Sequence, residues 1–361
     1  MARYDIAIVG AGIAGASLAA AIGSRASVVL LEGEDSPGYH ATGRSAAYWS
    51  ESYGGPGVQP LTTASGPALT KGGFLDPLGS LHIGRRQDAA KIDAFLGAFA
   101  GSGVALAPVD PRSLVPGLRE DWSLGVMEAS SAYIDVAALH ADCLARARRG
   151  GATLVTGAPL RSAVPGWRLE TGAGTFEADI LVDAAGAWAD PVAALAGIAP
   201  LGIQPYRRTV VQLRTDPAPP AGLPHVADIS GGFYFKPEGV GRLWLSPHDE
   251  TPVDPHDVQP EELDVALAID RFERAVDWRV AAVERRWAGL RSFAPDRLPV
   301  YGFEPGRRDF FWCAGQGGFG IQTAPAAAAL AAALLLGAAP DAFVAAIDPE
   351  PYAPARFRPL A

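Results

Sequence analysis

Three glycines near the start of the chain have the spacing of a phosphate-binding turn. Gly10, Gly12 and Gly15 follow the apolar run 5–9 and open an Ala-rich helix that is expected to reach about Ser24. In this pattern the first glycine makes a tight turn, the second lets the backbone approach a pyrophosphate, and the third lets the helix pack closely on the strand. The start of the helix also offers free N–H groups and a positive dipole end. These residues predict a dinucleotide site.

An acidic residue ends the next predicted strand at the distance that such a site requires. The run 27–31 is predicted to be a buried strand, and Glu32 follows its last residue. A carboxylate about 20 residues beyond the glycines can accept hydrogen bonds from ribose hydroxyls. Strand, helix, second strand and acid together predict a βαβ nucleotide-binding unit whose ligand is either FAD or NAD.

Two further glycine-rich stretches favour FAD. The small polar loop 36–48 leaves the second strand, where N–H groups and Ser45 could contact phosphate or the flavin edge; an ordinary surface loop is the alternative. Residues 314–323 form a second strand-to-helix turn near the end of the chain. The positive end of that helix could face the flavin pyrimidine ring, where negative charge develops on reduction. NAD enzymes do not usually need a turn of this kind.

Composition limits the size and class of the protein. A chain of 361 residues with 49% hydrophobic residues is long enough for two closely joined domains. The net charge of −9 argues against nucleic acid and an anionic membrane surface as partners. Cys143 and Cys313 lie in apolar surroundings, which fits two buried free thiols. We therefore expect a cytoplasmic protein, with peripheral association with the inner membrane as an alternative.

Two apolar stretches resemble export or membrane segments. Residues 1–23 have an early Arg and an apolar body, but Asp5 and the glycine spacing favour a βα unit over a signal peptide. Residues 323–340 are rich in Ala and Leu, but Pro325 and the Gly-rich lead-in favour a buried helix. The sequence therefore predicts no transmembrane segment.

Three later buried strands are expected to belong to the nucleotide domain. They are predicted at 153–156, 180–182 and 310–313, and a helix that starts at Tyr133-Ile-Asp135 and runs to Arg149 precedes the first of them. Asp135 has the residue type of an N-cap. Strands that alternate with helices indicate an α/β fold.

The intervening sequence predicts a second domain. Short runs at 209–213, 232–236 and 242–245 alternate with period two, which indicates an antiparallel sheet. In the middle run, Phe233 and Phe235 are expected on one face and Tyr234 and Lys236 on the other.

Three connecting stretches complete the expected fold. Residues 56–80, rich in Gly, Pro, Ser and Thr, are expected to cross between domains, and 91–100 to form a short helix. Pro260 is expected to open another helix, with an apolar stripe formed by Val265, Ile269, Phe272 and Val276.

Several stretches together resemble the D-amino-acid oxidase superfamily of FAD-dependent oxidoreductases, and within it the bacterial D-arginine dehydrogenase subgroup. They are the fingerprint 10–15, the loop 42–47, the turn 184–188, the motifs 287–293 and 316–323, and weaker matches at 200–208, 233–237 and 256–260. The resemblance implies a Rossmann-like FAD-binding domain with an interleaved α+β substrate domain built on an antiparallel sheet. Residues 1–75, 135–200 and 294–361 would form the first domain, and 76–134 and 201–293 the second.

The resemblance also implies a noncovalent FAD site near both glycine-rich turns. The expected cofactor-binding residues are Gly10, Gly12, Ile13, Ala14, Gly15, Glu32, Gly43, Arg44, Ser45, Ala46, Ala185, Gly186, Trp188, Gly315, Gly317, Gly318, Phe319, Gly320, Ile321, Gln322 and Thr323.

The activity that the resemblance implies is oxidation of a D-amino acid. Hydride would pass from Cα to flavin N5, and the imino acid formed would hydrolyse to a 2-oxo acid and ammonia. No strong general base is required if the substrate binds with a neutral amine. The electron acceptor, whether oxygen, a quinone or another carrier, is left open.

Five residues match substrate-site positions of the family. An arginine fork holds a carboxylate best, and Arg291 lies where the family places that arginine; a surface ion pair is the alternative. Tyr234 matches a tyrosine that also touches the carboxylate, with a core tyrosine as the alternative. Tyr53 resembles the tyrosine of a mobile loop over the site, Tyr48 is expected near the substrate amine, and Arg208 is a weaker candidate that could be solvated charge.

Two departures from the subgroup bear on the substrate. Tyr48 replaces a histidine, and Leu81 lies at about the position of an acid that would pair with a cationic side chain. Loss of a buried ionic partner costs a few kcal/mol. We therefore expect neutral or apolar D-amino acids to be preferred over D-arginine.

Other functions remain open from the sequence. A sarcosine- or glycine-oxidase-like enzyme or a 2-hydroxy-acid-oxidising flavoenzyme is one alternative, although no lysine matches the one that sarcosine oxidases use with oxygen. A non-catalytic flavin-binding protein is another. The acids and histidines of 248–257 have metal-ligand residue types, but they lie in a Pro-rich connection and we expect no metal site.

Overall fold

The computed structural model describes residues 3–358. The strands are β1 (Arg3–Val9), β2 (Val28–Leu31), β3 (Tyr48–Trp49), β4 (Leu75–Pro77), β5 (Ser80–Gly84), β6 (Leu106–Val109), β7 (Leu124–Glu128), β8 (Ala132–Ile134), β9 (Thr153–Val155), β10 (Leu160–Val164), β11 (Arg168–Thr171), β12 (Gly174–Asp183), β13 (Gln204–Asp216), β14 (His225–Asp228), β15 (Tyr234–Pro237), β16 (Leu243–Ser246), β17 (Thr251–Pro252), β18 (Arg279–Phe293), β19 (Val300–Phe303), β20 (Phe310–Ala314) and β21 (Gln316–Gly317). The helices are α1 (Ile13–Ile22), α2 (Gln59–Lys71), α3 (Ala89–Ala98), α4 (Val136–Arg149), α5 (Ala189–Leu195), α6 (Glu262–Ala275) and α7 (Gly320–Leu336).

The first sheet has a parallel centre with helices on both faces. Its path is β10-β11-β12-β1-β2-β9, and β20 joins β12 in parallel and carries β19. Ile6 and Ile8 of β1 pack into a core with α1 and α7, while Ala7 and Val9 pack into a second core that includes residues of α5. Because both faces are covered, β1 is apolar at successive positions rather than alternating.

The second sheet is mostly antiparallel, and most of its strands come from the central part of the chain. Its order is β21-β18-β13-β16-β15-β14-β5-β7-β6, with β17 beside β13. Phe235 and the apolar stripe of α6 share one core, which includes Phe272 and Trp278. The α/β fold class with an antiparallel second sheet is therefore confirmed.

Two features at the predicted domain boundaries were not foreseen. A small antiparallel sheet, β3-β8-β4, draws its strands from three separated segments. Strand β21, which lies in the predicted FAD-binding segment, pairs with β18 of the second sheet. The division of the chain into two domains at the stated residues stays a prediction.

The stretch 56–80, expected to cross between domains, contains a helix that its composition did not predict. Helix α2 occupies Gln59–Lys71, although it contains Pro67. Leu61 and Leu69 are buried, and the Ser65 hydroxyl accepts a hydrogen bond from Ala326 N–H of α7 at 3.1 Å. Tertiary packing therefore outweighs the poor helix propensity of this stretch.

Other element boundaries differ from the sequence expectation by a few residues. Tyr133 belongs to β8, and the Asp135 side chain caps α4 by accepting a hydrogen bond from Ala138 N–H at 2.9 Å. Helix α6 begins at Glu262 rather than at Pro260. Among residues 3–358, no helix is long and apolar enough to cross a membrane.

Candidate active site

The first glycine-rich turn forms a cradle that larger residues would fill. Gly10 has φ of 99°, and a Cβ there would lie 2.5 Å from the carbonyl oxygen of Ala184. A Cβ at Gly15 would lie 1.9 Å from the carbonyl oxygen of Gly10, so this glycine lets α1 pack against the turn. The start of α1 therefore approaches the cleft without side chains in the way, as phosphate binding requires.

Glu32 is held at the same edge by backbone N–H groups. Its carboxylate accepts hydrogen bonds from Ala11 N–H at 2.9 Å and from Glu34 N–H at 3.0 Å. The side chain is buried and lines the cleft. Each carboxylate oxygen retains a lone pair that can accept a hydroxyl of a bound ribose.

The glycine turn and Glu32 line a cleft with about 970 Å³ of empty space. It runs from the glycine turn to the second glycine-rich turn before α7. The expected cofactor residues that line it are Gly10, Gly12, Ile13, Ala14, Glu32, Ser45, Ala185, Gly186, Trp188, Gly317, Gly318, Gly320 and Ile321.

The loop 36–48, which was expected to contact phosphate or the flavin edge, also lines the cleft. Residues 38–42 form part of its wall. The Thr42 hydroxyl accepts a hydrogen bond from Ile13 N–H at 3.0 Å, so a loop side chain satisfies a free N–H of the helix start. The signal that pointed to it was the run of small polar residues after Glu32.

The side chain of Arg44, an expected cofactor residue, is not among those that line the cleft. Its guanidinium forms an ion pair with Asp257 at 2.5 Å and donates hydrogen bonds to the carbonyl oxygens of Val258 and Ala288. A Cβ at Gly43 would lie 2.8 Å from the carbonyl oxygen of Gly38, so Gly43 closes the turn of the loop. Both residues shape the loop from outside the cleft.

Several other expected cofactor residues support the turns instead of lining the cleft. Gly315 adopts φ of 70° at the end of β20, and Phe319 is buried in a small aromatic cluster. The Thr323 hydroxyl donates to the carbonyl oxygen of Phe319 within α7. Ala46 and Gln322 line a second cavity, described next.

A smaller cavity of about 340 Å³ opens beside the cleft and contains all five expected substrate-site residues. Arg291, Ser45, Gly318 and Ile321 line both spaces, so the two are adjacent. The full lining is Ser45, Ala46, Ala47, Tyr48, Tyr53, Arg208, Tyr234, Arg291, Gly318, Ile321 and Gln322.

Arg291 is a buried cation at the junction of the two cavities. Strand β18 carries it, and its residue is only 7% exposed. Among residues 3–358 no carboxylate lies within ion-pair distance of its guanidinium, and burial, followed by the charge of Arg208, lowers the pKa of Arg291. A buried arginine without an anionic partner is a binding site for an anion that enters the cavity.

Arg208 also points into the cavity but is already held on one side. Its Nε donates to the carbonyl oxygen of Asp249 at 2.8 Å, and its Nη2 pairs with Glu250 at 3.0 Å. Burial opposes its charge, yet Tyr53, Tyr234 and the two acids keep the pKa of Arg208 above its ordinary value. It is therefore a fixed positive charge in the cavity wall rather than solvated charge.

Three tyrosines form the rest of the wall. The ring of Tyr48 lies 5.2 Å from that of Tyr53 and 6.5 Å from that of Tyr234, measured between centroids. Burial raises the pKa of Tyr48 well above its ordinary value and also raises the pKa of Tyr234. Both hydroxyls therefore keep their protons at neutral pH and can donate hydrogen bonds.

Three histidines near these tyrosines are uncharged. His225 stacks on Tyr48 at 4.4 Å, and burial lowers the pKa of His225 well below its ordinary value. Burial lowers the pKa of His82 to about 4, and burial together with Arg208 lowers the pKa of His248 to about 3. Groups with such low pKa values are weak bases at neutral pH.

The placement of Leu81 differs from the expectation. Its side chain is fully buried in the core of the second sheet and does not line the cavity. The reason is the strand period: on β5, Leu81 faces the core, whereas Ser80 and His82 face the opposite side. Among residues 3–358, none of those that line the cavity carries a carboxylate. A cationic substrate side chain would therefore find no acidic partner in this lining.

Three of the four acids of 248–257 have side-chain partners in the protein. Asp249 accepts hydrogen bonds from Thr209, Glu250 pairs with Arg208 and Arg297, and Asp257 pairs with Arg44. The described residues contain no cluster of three metal-binding side chains. Lys236, on strand β15, pairs with Glu238 at 2.7 Å.

Comparison with known proteins identifies the family. Residues 5–334 match the model of the family described as FAD dependent oxidoreductase. The mitochondrial dimethylglycine dehydrogenase of Mus musculus is 26% identical over 97% of this chain and 44% of that protein. The glycine oxidase of Geobacillus kaustophilus is 32% identical over 49% of this chain and 45% of that protein. The chain thus spans less than half the length of the curated relatives it matches.

Solved structures have the same fold. The crystal structure of glycine oxidase from Geobacillus kaustophilus superposes with a TM-score of 0.82 at 26% identity and covers 98% of both chains. L-proline dehydrogenase from P.horikoshii has a TM-score of 0.85 at 20% identity, over 99% of this chain and 98% of that one, which shows the fold alone.

The cleft fits the cofactor of this family. A glycine cradle at a helix start suits a pyrophosphate, and Glu32 at the next strand end suits a ribose. The cleft reaches the second glycine-rich turn and Arg291, which leaves room for a ring system beside the smaller cavity. FAD is the cofactor that these residues would hold.

Proposed function

The chain belongs to the FAD dependent oxidoreductase family, and we propose that it oxidises D-amino acids with neutral or apolar side chains. The product would be an imino acid, which water hydrolyses to a 2-oxo acid and ammonia. The main support for the proposal is the buried guanidinium of Arg291. It lies at the junction of the cofactor cleft and the tyrosine-lined cavity, and among residues 3–358 it has no carboxylate partner.

The cavity residues have the chemistry to bind an amino-acid carboxylate. Arg291 can hold the carboxylate through two parallel hydrogen bonds. Tyr234 and Tyr53 line the same cavity and can donate further hydrogen bonds, and Arg208 adds positive charge from the opposite strand β13. An anchored carboxylate fixes the direction of the Cα–H bond, which is the contribution expected of the protein.

FAD, when bound, supplies the acceptor for the hydride that leaves Cα. The protein residues contribute position and charge rather than proton abstraction, because the nearby histidines are weak bases. A substrate with a neutral amine needs no base at Cα. The Tyr48 ring, stacked on His225, would form the wall beside the amine.

Two features support the neutral side chain and the D configuration. The cavity contains two guanidinium groups and no lining carboxylate, so a substrate ammonium or guanidinium side chain would be repelled. The D configuration rests on the resemblance of the sequence motifs to D-amino-acid oxidising enzymes.

Glycine and its N-methylated derivatives are a second candidate class. The alignment with a dimethylglycine dehydrogenase extends over 97% of this chain, and the 340 Å³ cavity is small. A 2-hydroxy acid would present the same carboxylate to Arg291. A protein that only binds flavin would not need a carboxylate clamp.

Anaerobic reduction of the bound flavin separates these candidates. D- and L-amino acids, glycine, sarcosine and 2-hydroxy acids are each mixed with the FAD-loaded protein, and loss of oxidised-flavin absorbance is followed. The proposal expects the fastest reduction with a neutral D-amino acid. Faster reduction by sarcosine or glycine would favour the second class, and reduction by no compound would favour a flavin-binding protein without turnover.

A further inference from the structure

A buried carboxylate outside the substrate cavity holds the turn that carries Tyr53. Glu128 is the last residue of β7 and has no exposed surface. Its two oxygens accept hydrogen bonds from Ser50 Oγ at 2.8 Å, Glu51 N–H at 2.7 Å, and both the N–H and the hydroxyl of Ser52. All four donors therefore belong to three consecutive residues that directly precede Tyr53.

The turn has little to fix it apart from such contacts. Its internal backbone hydrogen bonds, from Tyr53 N–H to Ser50 O and from Gly55 N–H to Ser52 O, are both 3.3 Å long. Gly54 and Gly55 follow with φ of 101° and 80°. Glycine adopts many backbone conformations, so these two residues do not restrict the position of the turn. The position of Tyr53 is therefore set mainly by residues outside the turn.

A second contact fixes the turn from the other side. Gln322 of α7 accepts a hydrogen bond from Ser50 N–H at 3.4 Å and donates one to the carbonyl oxygen of Tyr53 at 3.0 Å. Glu128 belongs to the second sheet, whereas Gln322 lies on a helix that packs on the first sheet. The turn is thus held between the two parts of the protein that enclose the substrate cavity.

The position of Tyr53 matters because its ring closes the cavity. The ring packs edge-on against Phe319 at 5.1 Å and lies beside Tyr48. Its hydroxyl faces Gly318, which lines both the cavity and the cofactor cleft. A small displacement of the turn would therefore move a hydrogen-bond donor out of the substrate space.

We propose that Glu128 is a positioning residue that fixes Tyr53 in the substrate cavity through Ser50, Glu51 and Ser52. This inference rests on the proposed function only for its kinetic consequence. Its structural content, that Glu128 holds the turn, can be tested without turnover. Glu128 itself is not among the residues that line the cavity, so it is proposed to act through the turn and not on the substrate.

Substitution of Glu128 by Gln keeps the side-chain shape and removes the acceptor capacity of one oxygen. In the FAD-loaded protein, we expect faster hydrogen–deuterium exchange over residues 50–55. The two oxygens of Glu128 accept from different N–H groups, so replacing one oxygen by an NH2 group leaves either Glu51 N–H or Ser52 N–H without its acceptor. For the best amino-acid substrate, we expect KM to rise about tenfold while kcat changes less than about threefold. Ser52→Ala, which removes one hydroxyl donor, should give a smaller change in the same direction if Glu128→Gln does not fold.

A double-mutant cycle decides whether Glu128 acts through Tyr53. In a Tyr53→Ala background, the effect of Glu128→Gln on KM should fall below about twofold, since the displaced group is already absent. Asp88→Asn is the matched control: Asp88 is also a buried acid that accepts a backbone hydrogen bond, from Arg85 N–H, and does not line the cavity. It should lower stability without changing KM or exchange at 50–55.

Two results would overturn the proposal. One is unchanged exchange over 50–55 in Glu128→Gln, and the other is the same KM increase in the presence and absence of the Tyr53 side chain. If the wild type oxidises no amino acid, the proposed function fails, and the exchange measurement alone then decides whether Glu128 holds the turn.

Discussion

The hydroxyl oxygen of Tyr53 lies where a side chain at Gly318 would begin. A Cβ placed on Gly318 would come within 2.3 Å of that oxygen and 3.2 Å of the ring carbon that bears it. This contact joins the turn after β3 to the glycine-rich turn before α7, and it allows a tyrosine to lie between the substrate cavity and the cofactor cleft.

Gly318→Ala should therefore displace Tyr53 and impair substrate binding. The ring has little freedom to move, because Phe319 and Tyr48 pack against it. We expect KM for the amino-acid substrate to rise roughly tenfold, an effect of the size of one lost hydrogen bond to a charged group. Gly97→Ala, at a helical position with open space around it, is the control. Equal KM values for Gly318→Ala and the wild type would show that Tyr53 does not contribute to binding.

Side-chain charge should determine selectivity among D-amino acids of similar length. Because the cavity lining contains Arg208 and Arg291 but no carboxylate, kcat/KM for D-methionine should exceed that for D-lysine by roughly tenfold or more. Steady-state kinetics with both compounds at one pH and salt concentration check this. A higher value for D-lysine would mean that a carboxylate outside the lining reaches the substrate.

The ion pair between Arg44 and Asp257 should strengthen FAD binding. Residues 38–42 of the loop line the cleft, and the ion pair connects the end of this loop to the segment before α6. Tyr39 donates a hydrogen bond to the same carboxylate at 3.2 Å. Asp257→Asn should raise the Kd for FAD roughly two- to fivefold at low salt, as expected for a half-exposed pair, and less at high salt.

Titration of the apoprotein with FAD, followed by flavin fluorescence, measures that change. Asp179→Asn removes a similar but more exposed pair with Arg3, away from the cleft, and should leave the Kd unchanged. A Kd that responds equally to both substitutions would contradict a specific role for the loop contact.

The buried histidines predict a loss of stability in mild acid. The pKa of His82 is lowered from 6.5 to about 4 in the folded protein, so below pH 6.5 the unfolded chain binds a proton that the folded chain does not. The contribution of His82 is fully present above pH 6.5 and is lost as pH falls toward 4, by up to roughly 1.4 kcal/mol per pH unit. Urea unfolding across this range should show a shallower pH dependence for His82→Gln. An identical slope in both proteins would contradict the lowered pKa.

The sequence predicted the parts of the fold and site that depend on local chemistry. Gly10 and Glu32 were identifiable because a strand, a turn and a helix within one βαβ unit determine their positions. Arg291 and Tyr234 were identifiable from family motifs, and the structure places them in one cavity. The roles of these residues remain predictions that the experiments above test.

The features that the sequence did not reveal depend on contacts between distant segments. The direction of Leu81 depends on the register between β5 and β7, and the partner of Arg44 is more than two hundred residues away. Helix α2 forms in a stretch rich in helix breakers because α7 packs against it. Nothing in the sequence near Glu128 indicates the turn that it holds, since their proximity arises only when the two sheets come together.

The proposed role of Arg291 is to anchor the carboxylate of a neutral D-amino acid beside the flavin. The rate constant of anaerobic flavin reduction, measured as a function of D-amino-acid concentration for the wild type and Arg291→Gln, tests this role. The wild type should be reduced with saturation, and Arg291→Gln should need roughly a hundredfold more substrate, because a buried charged hydrogen-bonding partner is lost. Equal concentration dependence in the two proteins would contradict the role of Arg291 in carboxylate binding. No reduction of the wild type by any neutral D-amino acid would contradict the proposed activity.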